Sequence, residues 1–226
     1  NDHQIGDLFR LAFEHLDVLS GIAFQPMTFT GRVPEGDRLR LRFTLSDLAR
    51  EFGEQTGLTR LDADWFPLSA AVPLIRYAGA LTGAALVNHT CHPHCGLMTL
   101  LFVDQNRRAV PITRFLDLYS LLTDLEALAA KTHPTSIKVL SKARALQALN
   151  RHFHSGRAPE GLTFLRFLQT LDGFGDKRYS WSDAHRGYTY KTFYVLGMHF
   201  MDAYNYDLER VSRCGVHYSA PDGKIY

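Results

Sequence analysis

The residues from 89 to 96 (His-Thr-Cys-His-Pro-His-Cys-Gly) most constrain how this chain folds. They contain two of the three cysteines and three of the 11 histidines. Thiolate and imidazole groups are the side chains that bind zinc ions and iron–sulfur clusters. Pro93 limits the conformations of the loop, and Gly96 allows the backbone to turn closely after the last thiol. The stretch predicts one part of a metal site, with much of the remaining chain as its scaffold.

The spacing of Cys91 and Cys95 lets both thiolates reach one metal ion or cluster from a single loop. Two ligands complete neither a structural zinc site nor a cubane cluster, because both use about four. Cys214 is the remaining cysteine, and it lies at a turn just before a predicted strand. The fourth ligand is then a cysteine beyond Tyr226 or a histidine. The histidine candidates are His89, His94 and His217.

Other interpretations of these residues stay open. A nucleophilic pair of Cys91 with His92 or His94 is conceivable, but it lacks a third orienting group and leaves the other cysteines unexplained. Cys214 alone also fits a small core residue. The scattered histidines His185, His199 and His217 are more typical of hydrogen-bonded structural residues than of ligands.

The composition argues against several classes of protein. Hydrophobic residues make up 46% of the chain, enough for a sizeable core. Lys and Arg (25) nearly balance Asp and Glu (23), without a like-charge block, so no nucleic-acid interface is expected. Three cysteines are too few for a secreted disulfide scaffold and favour a reducing cytoplasm. No apolar run reaches the ~18 residues of a membrane helix, and no signal peptide is expected.

The first part of the chain predicts a helix followed by a strand. The helix ends near Asp17, and the strand over 21–29 is largely buried on both faces. This succession is typical of a parallel sheet or barrel, whose ligand-binding mouth lies at the ends of such strands. Pro26 should interrupt pairing because it lacks an N–H. Segment 30–42 is predicted to be a polar loop. Its arginines are a candidate set for binding phosphate or carboxylate: Arg32, Arg38, Arg40 and Arg42.

Later segments predict an α+β arrangement around the cysteine loop. Thr44 and Asp47 match a capping box that opens a helix ending at Gly57, and Pro73 suits the first turn of a helix ending at Gly83. Strands over 84–87, 97–103 and 109–113 predict a small antiparallel sheet. Three helices are predicted over 115–130, 136–153 and 162–171. Segment 179–206 is rich in aromatic residues without a clean period, and a helical turn over 208–213 precedes a strand over 215–220.

Several stretches resemble one radical S-adenosylmethionine family, the group that includes archaeal tetraether lipid synthase and its bacterial relatives. The matching stretches occur in order, and the cysteine loop and the final tail are the most specific. They are Gly-Ile-Ala-Phe-Gln-Pro-Met-Thr-Phe-Thr-Gly-Arg at 21–32, Cys-His-Pro-His-Cys-Gly at 91–96, His-Phe-Met-Asp-Ala-Tyr-Asn-Tyr-Asp-Leu-Glu-Arg-Val at 199–211, Cys214, His-Tyr at 217–218 and Ala-Pro-Asp-Gly-Lys-Ile at 220–225.

The resemblance implies a position within such an enzyme. The family binds its radical-generating cluster through Cys-x3-Cys-x2-Cys, whereas Cys95 here is followed by Leu97 and Met98. Cys91, Cys95 and Cys214 are therefore expected to bind an auxiliary 4Fe-4S cluster. Residues 1–83 would be the end of the partial TIM barrel with linker helices, and residues 84–226 the auxiliary-cluster region. Gln25 and Thr28 would lie near S-adenosylmethionine at the barrel mouth.

The resemblance also implies the activity of the parent protein. Reductive cleavage of S-adenosylmethionine would give a 5′-deoxyadenosyl radical that abstracts hydrogen from an unactivated carbon, for lipid carbon–carbon coupling or for methylation. The implied partners are a small-molecule or lipid substrate and an electron donor such as ferredoxin or flavodoxin, with peripheral membrane contact left open. No catalytic residue is assigned within this chain, which is expected to be a piece of a longer cytoplasmic protein.

Two hypotheses compete with the cluster. The first is a zinc-binding module in which the three cysteines and one histidine form a closed tetrahedral site that stabilises the fold. The second is an α/β domain with reduced thiols. The cluster predicts iron and acid-labile sulfide in the protein, and the zinc-binding module predicts stoichiometric zinc. The domain with reduced thiols predicts that alanine at Cys91 and Cys95 leaves the stability unchanged.

Overall fold

The computed structural model describes residues 1–83, 91–133, 138–172, 190–216 and 219–225. These residues form a mixed five-stranded sheet with helices packed on both faces. The strands are β1 (Gly21–Phe24), β2 (Phe66–Pro67), β3 (Gly96–Asp104), β4 (Ala109–Pro111) and β5 (Tyr190–Met198). The helices are α1 (Ile5–Glu14), α2 (Glu35–Leu41), α3 (Leu45–Thr56), α4 (Val72–Thr82), α5 (Leu118–Lys131), α6 (Lys138–His152), α7 (Phe164–Asp172) and α8 (Leu208–Ser212). The α/β class is confirmed, while the partial barrel and the cluster region stay predictions.

Strands β3 and β5 form the centre of the sheet. They pair antiparallel from Gly96 opposite Met198 to Asp104 opposite Tyr190. Strand β1 pairs parallel with β5, with Phe24 opposite Gly197, and β2 and β4 pair antiparallel with β3. The carboxyl ends of β1 and β5 therefore meet the start of β3. We call this end of the sheet, marked by Phe24, Gly96 and Met198, the cysteine end.

Strand β3 separates two hydrophobic cores because side chains alternate between the faces of a strand. Leu101 and Val103 pack with α1 and α3 on one face. Phe102 packs with residues of α4, α5, α6 and α7 on the other. All three side chains are fully buried, so the strand is fixed from both sides. The residues that precede β3 are thus attached to a strand that is packed on both faces.

Helix α3 shows how local sequence signals set an element that borders the cysteine end. The Thr44 hydroxyl accepts a hydrogen bond from Asp47 N, and the Asp47 carboxylate accepts one from Thr44 N. Gly57 ends the helix with a left-handed φ of 70°. The predicted capping box and stop are both confirmed. A Cβ at Gly197 would lie 2.5 Å from Leu48 Cδ2, so the glycine allows α3 to pack directly against the end of β5.

Several predicted elements agree with the structure, and others do not. Helices α5, α6 and α7 correspond to the three predicted helices. Segment 30–42 was predicted to be a loop, which is wrong, because Pro34 introduces α2 with acidic residues in its first turn and arginines in its last. Pairing of β1 ends at Phe24 rather than at residue 29, consistent with the missing N–H of Pro26. The predicted strand over 84–87 lies outside the described residues.

The end of the chain differs from its prediction as well. In the described part of segment 215–220, only Ser219 makes a strand-like pair, an isolated bridge with Ile225. Gly223, with a φ of 77°, forms the turn between them. Segment 179–206, which had no assigned structure, contains the central strand β5.

The sheet takes strands from both predicted segments of the chain. β1 belongs to segment 1–83, whereas its partner β5 belongs to segment 84–226. The division of the chain at residue 83 stays a prediction. No helix in the described ranges combines the length and apolar character that crossing a membrane requires.

Candidate metal centre

The loop with the first two cysteines is held at the cysteine end of the sheet. Residues Pro93–Cys95 form a single turn of 3-10 helix directly before β3. Cys95 N donates to His92 O at 2.8 Å, and Cys95 O accepts from His199 N at 3.0 Å. His199 immediately follows β5. The position of Cys95 is therefore fixed by backbone contacts to the end of a central strand.

Cys214 lies in the same region of the molecule, just after α8. Its N–H donates to Val211 O at 3.0 Å, and the residue is exposed. Burial raises the pKa of the Cys91 thiol, and electrostatic repulsion from Cys95 and then from Cys214 raises it further. Cys214 is thus close enough for its charge to affect Cys91, and all three cysteines are free thiols. The structure brings the three predicted ligands to one end of the sheet.

The donor set suits a soft metal centre. Within the described ranges, no three His, Cys, Asp or Glu side chains are drawn together closely enough to hold a metal ion. Thiolates repel one another until a cation neutralises them, so metal binding and the final arrangement of ligands are coupled. A donor set of three thiols matches zinc or an iron–sulfur cluster better than a hard cation. The residues therefore fit such a centre, and their role as ligands stays a prediction.

Histidines next to the thiols have defined contacts. His92 Nδ1 accepts a hydrogen bond from His94 N at 3.2 Å, and the two rings meet edge to face at 4.7 Å. His94 is exposed, whereas the other candidates for a fourth ligand, His89 and His217, lie outside the described residues, as does His185. Because the Cys91 pKa is raised, the metal-free thiol is not an activated nucleophile. The raised pKa of Cys91 thus disfavours the nucleophilic pair of Cys91 with His92 or His94.

In metal-free protein, Cys91 should react with iodoacetamide more slowly than Cys214. Cys91 is partly buried and its pKa is raised, so at pH 7.5 less thiolate is present than on an ordinary cysteine with a pKa of about 8.5. The rate of Cys91 alkylation should still be rising at pH 9. Peptide mass spectrometry measures both rates in one sample. Equal rates for the two thiols across this pH range would contradict the buried setting of Cys91.

Asp202 fixes the segment that follows β1 against the segment that follows β5. Its carboxylate accepts bidentate hydrogen bonds from Arg42 at 2.7 and 3.2 Å, and one each from Phe29 N and Tyr204 N at 2.9 Å. Burial alone would raise the pKa of Asp202, but the hydrogen bonds from Arg42, Phe29 and Tyr204 hold it well below its usual range. Its side chain is only 2% exposed. The segment after β1 is thereby kept at the cysteine end.

Gln25 and Thr28, the predicted cofactor-binding residues, lie in this same segment. Gln25 is exposed and Thr28 is half-buried. Both come directly after β1, at the end of the sheet where the cysteines lie. They lie near the cysteine end of the sheet, while their place at a barrel mouth and their contact with S-adenosylmethionine stay predictions.

The predicted anion-binding arginines have partners of their own. Arg42 pairs with Asp202, and Arg40 pairs with Asp37 at 3.0 Å. The Arg38 guanidinium lies over the Tyr204 ring, 4.1 Å from its centroid. Since these cations already contact carboxylate or aromatic groups of the chain, the structure gives little support to a phosphate site here.

His199 is a site residue whose position the sequence did not reveal. Burial lowers the pKa of His199, and the positive charges of Arg210 and Arg42 lower it further. The negative charge of Asp202 raises it by a smaller amount, so the pKa stays below its ordinary value. The Asn205 amide oxygen accepts from Asp202 N at 2.6 Å, which leaves its Nδ2 to donate to His199 Nε2 at 3.4 Å. The lowered pKa favours the neutral form of His199, and the Asn205 donor assigns its ring proton to Nδ1. It is hydrogen-bonded, as predicted, yet it directly adjoins Cys95.

The comparisons with known proteins agree with an enzymatic context. No protein-family model matches the chain. The 7,8-dihydro-6-hydroxymethylpterin dimethyltransferase of Methanocaldococcus jannaschii is 34% identical over 230 residues. Along its whole length the chain resembles part of a methyltransferase. The match covers 100% of the chain and 44% of the dimethyltransferase, so the chain spans less than half of that relative. Of the two reactions that the sequence leaves open, this similarity favours methylation over lipid coupling.

Proposed function

We propose that this chain is the cluster-binding part of a radical S-adenosylmethionine enzyme that methylates an unactivated carbon of a small molecule. Cys91, Cys95 and Cys214 would bind an auxiliary 4Fe-4S cluster. The observation that supports this proposal most is the location of these three thiols at one end of the sheet, where Cys95 and Cys214 are close enough for their charges to affect Cys91. The dimethyltransferase relative supports the reaction class.

The residues of the chain would divide the work at this site. When bound, the cluster would supply one-electron chemistry, with a potential set by its surroundings. The hydrogen bond from His199 N to Cys95 O orients the cysteine loop. Asp202 keeps the segment with Gln25 and Thr28 beside it, where these two side chains would contact S-adenosylmethionine. Neutral His199 adds no charge next to the thiolates.

Anaerobically purified full-length protein tests the proposal. It should be brown and contain iron and acid-labile sulfide, and Cys91→Ser should lose the share of the iron that belongs to the auxiliary cluster while the radical-generating cluster is kept. The protein is then given a reductant and S-adenosylmethionine labelled on its methyl group. The label should enter 7,8-dihydro-6-hydroxymethylpterin, the compound that appears in the name of the relative. Colourless protein with stoichiometric zinc would instead support the competing site of three cysteines and one histidine. Iron-containing protein that labels no pterin would retain the cluster and exclude methyl transfer from S-adenosylmethionine to this pterin.

One cavity favours a second candidate function, action on a lipid. A pocket of about 460 Å³ lies between the sheet and helices α4, α5, α6 and α7. Its walls are almost entirely apolar, including Leu74, Leu121 and Leu149, and its volume is within the usual range of small-molecule sites. A hydrocarbon chain fits these walls better than a pterin. Binding of a fluorescent fatty acid that Ala145→Phe abolishes, and exposed Ala127→Phe does not, would support this candidate.

A further inference from the structure

Arg210 on α8 is a buried cation close to the candidate metal centre. Only 6% of the residue is exposed, and its Nη2 donates to His199 O at 2.8 Å. Its Nε is buried without a hydrogen-bond partner in the part of the chain that the structure describes. A buried, unsatisfied donor destabilises the fold, and more so when it is charged. A further group that accepts from Arg210 would remove this cost.

Arg210 connects the two segments that contain the thiols. His199, whose carbonyl it binds, donates its own N–H to Cys95 O. On the other side, Arg213 N donates to Arg210 O at 3.2 Å, and Cys214 follows directly. A continuous series of hydrogen bonds therefore runs from the cysteine loop through His199 and Arg210 to the turn before Cys214.

Arg213 lies on the same turn and provides the contrast. Its side chain is 51% exposed and pairs with Glu209 at 3.1 Å, as is ordinary for a surface arginine. Arg210 instead has its guanidinium inside the protein, and no ion pair joins it to a carboxylate within the described ranges. A centre ligated by several thiolates is anionic, so it is the chemical complement of such a guanidinium.

We propose that Arg210 is a positioning residue of the metal centre, which fixes Cys214 relative to Cys95 and balances the negative charge of the thiolate ligands. The inference rests on the proposed function for the identity of the centre. Positive charge and N–H donors close to cluster sulfur raise its reduction potential, and residues that orient ligands affect metal affinity. The unpaired Nε–H is available as such a donor.

The test uses full-length, cluster-loaded protein with Arg210→Met, Arg210→Lys and the control Arg213→Met. Arg210→Met should release iron to a chelator about tenfold faster than wild type and should have a lower midpoint potential. Arg210→Lys should keep the potential near the wild-type value, because it keeps the charge, yet release iron faster. Arg213→Met should match wild type in both measurements. If Arg210→Met does not fold, Arg210→Lys decides through the iron-release rate alone.

A second measurement on metal-free protein does not depend on the cluster. Dibromobimane, which links nearby thiols, should join Cys214 to Cys91 or Cys95 in wild type and in Arg213→Met, but several-fold less in the Arg210 variants. The cross-link yield could fall in the Arg210 variants while the wild type binds no iron. In that case the proposed function fails and the positioning role of Arg210 stands. Equal release rates and equal cross-link yields in Arg210 and Arg213 variants would overturn the inference.

Discussion

Replacing Cys214 with serine should remove the auxiliary cluster from the full-length protein, although Cys214 is exposed and far from the cysteine loop in sequence. A serine hydroxyl has nearly the size of the thiol but is a poor ligand for iron. We expect iron and sulfide content to fall by about half, as in Cys91→Ser, because the radical-generating cluster keeps its own three cysteines. The free energy of unfolding of metal-free protein should change by only about 0.5 kcal/mol, because the side chain is exposed. Iron and sulfide assays together with thermal unfolding measure both effects.

A neighbouring serine provides the control. The Ser212 hydroxyl donates only to Glu209 O in the described contacts and is exposed, so Ser212→Ala should keep its iron. Normal iron content in Cys214→Ser, with loss in Cys91→Ser, would exclude Cys214 as a ligand. The thiol would then be an ordinary exposed residue, and the pair in the loop would need two ligands from elsewhere. This result would contradict the central prediction from the sequence.

Elements set by local signals were predictable from the sequence. The capping box of Thr44 and Asp47 and the glycine at position 57 define α3 through contacts within a few residues. Helices α5 to α7 each have apolar residues at helical spacing, because one face of each packs on the sheet. Such patterns are readable because the partner of each residue is a near neighbour or the common core.

Other elements depend on distant partners. Strand β5 is buried on both faces between β1 and β3, which removes the alternation that identifies a strand. Helix α2 is short and has no buried residue, so its sequence has the composition of a loop. In both cases the surroundings of the segment, rather than its own pattern, determine its structure.

The same distinction applies to the candidate site. The cysteines were identifiable because thiols are rare in this chain and concentrate in one loop. The residues that support them were not, because their contacts join remote segments. Arg42 and Asp202 lie 160 positions apart, and Asp202 and Phe29 lie 173 apart. A lone Asp and a lone Arg have no pattern from which such a pair could be inferred.

Substituting Asp202 by asparagine should loosen the segment after β1 without changing the size of the side chain. The change leaves the Arg42 guanidinium without its carboxylate, and removing one partner of a buried ion pair costs about 3 kcal/mol. The exchange of the Phe29 and Tyr204 amide protons, which Asp202 binds, should then accelerate about a hundredfold relative to wild type. Hydrogen exchange of peptides covering residues 25–33 and 199–205 measures this. The exposed pair Arg40 and Asp37 provides the control, since Asp37→Asn should cost less than about 1 kcal/mol.

The contribution of Asp202 should also depend on pH with a defined sign. Its pKa in the folded protein lies well below the unfolded value of about 3.9, because Arg42 and two backbone N–H groups stabilise the carboxylate. The carboxylate therefore stabilises the fold fully above about pH 5, and this stabilisation is lost progressively as the pH falls toward the pKa in the folded protein. Between pH 5 and 3, wild type should lose more protection in segment 25–33 than Asp202→Asn does. Parallel losses in the two proteins would show that the ion pair does not hold this segment, and Gln25 and Thr28 would then owe their position at the cysteine end to the short pairing of β1 alone.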